Sequence, residues 1–234
     1  SQLTHSSIIP IYSIHDEPNQ TYFTMPLVKG ESLSNLLSNN FESRNYRENN
    51  LLSISSIYSL IVIFLNLCYA IKYCHLKGVL HCNLKPDSII VQNSAQITLI
   101  DWEMAKSKDQ VQATGSNNTD EWSDRITSFD FLEPEFVLGS PSSCQSDIYS
   151  LGAILYYMLT LKKPFNRPND FKEWKNQIIA HGLEDIINPQ KEATDREITP
   201  QLASIALKCL AKQKYRYKNL DEIINDLQNY IQGK

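Results

Sequence analysis

Between Gly78 and Ile100 the chain sets a loop dense in chemistry between a long helix and a small hairpin, and this order constrains the fold more than any other feature. The loop reads His81-Cys82-Asn83-Leu84-Lys85-Pro86-Asp87. Two short apolar runs follow, Ser88 to Val91 and Gln96 to Ile100, with Asn93-Ser94 as the turn between them. Before the loop, Ser53 is placed to cap a helix that runs to about Lys77 and that Gly78 ends. The apolar heart of that helix, Ile57 to Ile71, is broken by Ser59 and Asn66. It falls short of the roughly 18 to 20 apolar residues of a membrane span, so a buried helix and no membrane span are expected.

The flanks complete an α+β pattern. Ile8 to Ile14 and Thr21 to Val28 are β-type runs separated by the turn-forming His15-Asp16-Glu17-Pro18-Asn19-Gln20, which predicts a hairpin. Gly30 opens a helical stretch from Ser32 to about Ser38, and a polar loop from Asn39 to Asn50 follows. Ala105 to Ser128 is polar and aperiodic, a mobile loop by pattern. Beyond Pro134 helices and turns alternate. Ser146 to Thr160 is strongly apolar, while Phe171 to Ala180 and Pro200 to Lys212 are amphipathic. Leu220, Ile223, Ile224, Leu227, Tyr230 and Ile231 form one helical stripe.

Composition sets outer limits. The chain has 234 residues, 42% hydrophobic and 21% charged, enough for one large domain or two small ones. A net charge of −4 leaves no basic excess for nucleic-acid phosphate. The five cysteines are odd in number and contain no C-x-x-C pair, which favours reduced thiols over a disulfide or metal site. With no basic start and no apolar signal core at Ser1 to His5, a reducing location is expected: the cytoplasm, or a host compartment of the same character. The absence of Met at position 1 reads as a piece of something longer.

These motifs together resemble the eukaryotic-like (Hanks-type) serine/threonine protein kinase family, in its bacterial style, over nearly the whole chain. The loop is similar to H-R-D-L-K-P-x-N. Asp101-Trp102-Glu103 stands where D-F-G belongs, and Leu132-Glu133-Pro134-Glu135 where A-P-E belongs. Asp147-Ile148-Tyr149-Ser150-Leu151-Gly152 matches the start of the central large-lobe helix, and Leu159 to Phe165 the turn after it. The resemblance implies a kinase-like α+β fold: residual small-lobe strands and hinge over residues 1–30, and a helical large lobe over 31–234. It places the family's glycine-rich loop, strand Lys and helix Glu before Ser1.

Carried over residue by residue, the resemblance divides the chain's functional positions. Asp147 would accept hydrogen bonds from the catalytic-loop backbone. Glu135 would pair with Arg216, although Gln213-Lys214 replaces the family's Asp-Pro and the spacing is one residue short. His81 and Trp102 would stack within the internal spine. At the positions of chemistry the chain departs from the family. Asn83 stands at the general base, Ser88 at a metal-binding Asn, Cys82 at the phosphate-receiving Arg and Glu103 at a Gly. Asp101 remains as a candidate Mg²⁺ ligand and Lys85 as a candidate phosphate contact; the competing reading of Asp101 and Glu103 is a solvated acidic turn. Met25 would be the gatekeeper, Pro26-Leu27-Val28 the hinge with an adenine-facing carbonyl and N–H, and Ile90 the apolar floor. ATP and Mg²⁺ are thus implied at most as weak ligands.

The leading expectation is a catalytically defective module that acts through a protein partner, or through upstream small-lobe sequence covering the exposed hairpin. The alternatives are a serine/threonine kinase with an unconventional base and a degenerate remnant without a stable fold. Thr114, Ser116, Thr119, Ser123, Thr127 and Ser128 invite a phosphosite reading, against that of a solvated polar loop.

Overall fold

A computed structural model describes residues 3–17, 20–42, 56–92, 95–114, 129–165, 167–168, 170–181, 186–193 and 197–233. The helical body is organised around α5 (Cys144–Thr160), in which almost every residue from Asp147 to Thr160 is buried. Ser143 caps it: its hydroxyl accepts from the Gln145 N–H, and Ser146 returns a bond to the Ser143 N–H. Leu161, in left-handed backbone, closes the other end. Against α5 lie α8 (Pro200–Leu210), capped by Thr199, and the long α2 (Ile57–Leu76). The α5–α8 approach is so close that a Cβ on Gly152 would stand 2.4 Å from the Cys209 Cβ. The apolar stripe of α9 (Leu220–Ile231) packs on α2 and α8.

Helix α2 begins at Ile57 on the cap Ser56, and Ser53 lies outside the described residues. At 20 residues it is longer than the apolar run suggested, and by length and composition alone it is long and apolar enough to cross a bilayer. Here Leu60, Ile61, Phe64, Leu67 and Ile71 are buried in the main core. Gly78 follows with φ +74, a backbone that suits glycine after a helix end.

Among the described residues the strands form three small sheets. β1 (Ser13–Glu17) and β2 (Gln20–Thr24) make the expected antiparallel hairpin, with a tighter connection than the sequence pattern suggests: His15 to Glu17 belong to the strand. The hairpin is exposed on nearly every residue. Ile8 and Ile9 instead run beside Leu99, anchoring the segment before the hairpin to the body. β3 (Glu31–Ser32), β5 (Ile89–Val91) and β6 (Ile97–Leu99) form an antiparallel sheet in the order β3-β5-β6. Gly30 precedes it at φ +151, where an added Cβ would lie 2.5 Å from the Val91 carbonyl oxygen. The helix after it, α1 (Leu33–Glu42), runs past Ser38, so Asn39 to Glu42 are helical rather than loop.

The segment after Ala105 also departs from expectation. Lys106–Ser107 form β7, paired with β4 (Val79–Leu80), and Lys108–Thr114 form α3. Backbone pairing to β4 orders residues that show no periodicity, because a two-residue strand leaves no side-chain pattern to read. The rest of that stretch, residues 115–128, lies outside the described residues, as do the candidate phosphosites Ser116 to Ser128. Short α4 (Pro134–Val137), α6 (Phe171–His181) and α7 (Pro189–Glu192) complete the body.

Candidate functional site

The loop between β4 and β5 is held from beneath by α5. Asp147, 1% exposed, accepts from the His81 N–H at 3.0 Å and the Cys82 N–H at 2.9 Å. Its Oδ2 also pairs with His75 Nε2 of α2 at 2.7 Å. Burial alone would raise the Asp147 pKa, but the His75 hydrogen bond and charge, with the His81 contacts, bring it below the ordinary value. The fixed backbone carries Cys82 at φ +63, the left-handed region that non-glycine residues rarely occupy. Asp101, across the cleft, sits at φ +64. Paired strain of this kind recurs at functional sites, where the surroundings over-determine the backbone.

His81 is completely buried, with Nε2 3.3 Å from the Ile100 carbonyl and its ring centroid 4.6 Å from that of Trp102. Burial holds its pKa below the usual imidazole value, so it serves as a neutral packing group.

On the cleft side, Asn83, Lys85 and Asp101 converge. Lys85 Nζ lies 3.0 Å from Asp101 Oδ2, and Asn83 Nδ2 donates to the same oxygen at 3.4 Å. The end of the Asn83 amide that faces a carboxylate must be its NH₂, because the carboxylate only accepts. Asn83 is 5% exposed, so this donor is fixed within the structure. The Ser88 hydroxyl is engaged elsewhere: it donates to the Lys85 carbonyl at 2.8 Å and accepts from the Lys85 N–H at 3.2 Å. Pro86 to Ser88 form a 3-10 turn closed by this exchange, and Ser88 is 1% exposed. Ser88 thus stabilises the turn through its hydroxyl. Among the described residues, no three His, Cys, Asp or Glu side chains converge as a metal site. For Mg²⁺, the fit is one carboxylate, Asp101, already paired with Lys85.

The candidate adenine site is open to solvent. Ser6, Ile8, Ile9, Pro10, Pro26, Leu27, Val28, Lys29, Gln92 and Thr98 line a cavity of about 330 Å³. Pro26 and Val28 border it, whereas Met25 and Ile90 do not appear in its wall. Met25 is half exposed, and Ile90 Cγ2 packs against the Gly30 backbone instead.

A second constellation joins the two ends of the large lobe. Arg216, buried, donates to Glu133 at 2.9 Å, to the Gln145 carbonyl at 2.8 Å and to both Glu135 oxygens at 3.2 and 3.4 Å. Its Nε reaches the Ala211 carbonyl, and its guanidinium lies over the Tyr149 ring. The short turn Gln213–Tyr215 brings the Arg to these partners despite the altered residues before it. Glu133 is the partner that the motif left unassigned. It is almost fully buried, and burial raises its pKa even though Ser146 and Arg216 hydrogen-bond the carboxylate. Its only sequence signal is its place two residues before Glu135.

The family model described as "Protein kinase domain" matches residues 1–227. The chain belongs to the protein kinase family. The serine/threonine-protein kinase PknD of Protochlamydia amoebophila is 35% identical over 247 residues, covering the whole chain and 25% of that protein. Proteins of the same name from Chlamydia felis and Chlamydia trachomatis serovar D are 31% and 32% identical, again over the whole chain and 25% and 26% of their own lengths. The chain therefore spans about a quarter of these curated relatives. This kinase-family chain is of the Hanks type, and its α+β architecture is the kinase-like one.

Proposed function

We propose that this chain is a kinase-fold module in which phosphoryl transfer is lost and whose output is protein–protein interaction. The observation that carries the reading is Asn83. A family base accepts the hydroxyl proton of the substrate, whereas Asn83 has no basic atom near neutral pH and turns its amide donor on Asp101. Loss of a general base costs about 10²- to 10⁴-fold in rate. Ser88, engaged with the Lys85 backbone, and the Asp101–Lys85 pair act in the same direction. The exposed hairpin offers a surface for the partner, with Ile14 and Phe23 open to solvent and Leu27 exposed just after it.

A second reading rests on the position of Asp101 and Lys85 and on the kinase names of the relatives: a serine/threonine kinase that works without the usual base. One experiment separates the two. The full gene product is incubated with γ-labelled ATP and Mg²⁺, and transfer to itself and to Ser/Thr peptides is compared with the Asp101→Ala variant. Equal signals at background support the interaction module. Mg-dependent transfer that Asp101→Ala abolishes would establish the kinase.

A further inference from the structure

Asp101 keeps the carboxylate that the family gives to Mg²⁺, yet its surroundings in this chain are those of a charge already answered. Lys85 Nζ lies 3.0 Å from Oδ2, and the Asn83 amide donates to the same oxygen at 3.4 Å. Both neighbours present donors to the carboxylate, whereas a bound Mg²⁺ calls for converging oxygen ligands. The pair is held from both ends. Ser88 closes the turn that carries Lys85, its hydroxyl donating to the Lys85 carbonyl and accepting from the Lys85 N–H. The Ser88 carbonyl accepts from the Ile100 N–H at 2.9 Å, one residue before Asp101. One residue after it, Trp102 Nε1 donates to the Leu99 carbonyl at 3.2 Å. Between these two bonds Asp101 is set at φ +64.

We propose that Lys85 is the resident cation of this cleft: its ammonium takes the place on Asp101 that the family gives to Mg²⁺, and the chain binds no divalent ion there. The metal that the fold family implies does not fit this donor set, and the reason is electrostatic. A divalent ion on the Asp101 carboxylate would stand roughly 3–5 Å from the ammonium. Coulomb repulsion at that range, even at the dielectric of water, lowers affinity by about tenfold or more. The Lys85 side chain is 13% exposed, so less water screens it than a surface lysine.

The pair ties the loop after β4 to the segment after β6 by an ion bridge internal to the chain. The cleft therefore keeps one arrangement whether or not Mg²⁺ is in solution. The inference deepens the loss of transfer proposed above, but it concerns metal alone. A chain that bound a divalent ion on Asp101 and transferred no phosphate would refute this inference and leave the interaction reading standing. Transfer without a metal on Asp101 would do the reverse.

The test is Mn²⁺ titration of the 234-residue chain, read by electron paramagnetic resonance with no nucleotide added. Mn²⁺ stands for Mg²⁺ because both prefer carboxylate and water oxygens. The native chain and Asp101→Asn should bind Mn²⁺ alike, since Asp101 supplies no site. Lys85→Met should bind it about tenfold or more tightly than the native chain, and adding Asp101→Asn to that variant should abolish the gain. Thermal unfolding checks that each variant keeps one cooperative transition. If Lys85→Met does not, Lys85→Gln takes its place with the same gain expected, and if neither folds the native comparison decides alone. Mn²⁺ binding by the native chain that Asp101→Asn removes overturns the proposal. So does a folded Lys85 variant that binds no more tightly than the native chain.

Discussion

The floor of the catalytic loop and its cleft-facing side are built to different standards. Beneath the loop, Asp147 is 1% exposed and satisfied by two backbone N–H groups and His75. Arg216 is likewise saturated by two carboxylates and two carbonyls. On the cleft side, one Asp101 oxygen receives both Lys85 and the Asn83 amide, and the metal-ligand position carries a serine hydroxyl engaged with its own turn. Every buried charge in the floor is answered, because an unanswered one costs several kcal/mol. Asp101 and Lys85 on the cleft side remain partly exposed and bear a lighter folding requirement, so they can change at less cost to the fold. A chain can therefore keep the kinase architecture while its chemistry departs.

The sharpest way to break this comparison is to remove the anchor. Asp147→Ala leaves two buried N–H groups and the His75 charge unpaired and should cost about 3–5 kcal/mol, enough to abolish cooperative unfolding in denaturant. Arg216→Ala strands Glu133 in the interior and should cost about the same, with Arg216→Lys recovering little because the forked geometry is lost. Gly152→Ala tests the helix contact at the centre of the same floor; its Cβ, 2.4 Å from the Cys209 Cβ, should cost about 1–3 kcal/mol. Asp101→Asn on the cleft side should change stability by less than about 1 kcal/mol, since the Asp101 side chain keeps 26% of its surface in solvent. Comparable losses at Asp101 and Asp147 would erase the distinction.

Acid sharpens it further. The Asp147 pKa lies below its ordinary value of 3.8 in the fold. Its stabilisation is therefore complete above about pH 4 and is lost as pH falls through the folded value. Glu133 has the opposite sign: its folded pKa is raised, so its protonation on acidification favours the fold. The denaturation midpoint of the native chain should fall steeply only below pH 4, and Asp147→Asn should flatten that fall.

Much of the floor was legible in the sequence because it lies in short contiguous motifs. Asp147 in Asp-Ile-Tyr-Ser-Leu-Gly, His81 at the head of its loop and Glu135 after Pro134 carry their neighbours with them. Glu133 and His75 were not legible, because their partners are Arg216, far along the chain, in one case and Asp147, on a separate helix, in the other. Ser88 is the instructive case on the cleft side. Its position is that of the family's metal-binding Asn, from which serine already departs, and what the motif does not reveal is that its hydroxyl closes its own turn. The strand Lys106–Ser107 was hidden because its order comes from pairing with Val79–Leu80.

On the proposed reading, several coordinated departures, rather than the loss of one base, separate this chain from catalysis. Asn83→Asp in the full gene product tests it directly through Mg-dependent transfer from γ-labelled ATP. The account predicts transfer that stays at background, because Ser88 and Glu103 still differ from the family pattern. A gain of about 10²-fold or more, the contribution of a restored general base, would show an otherwise competent site and contradict it.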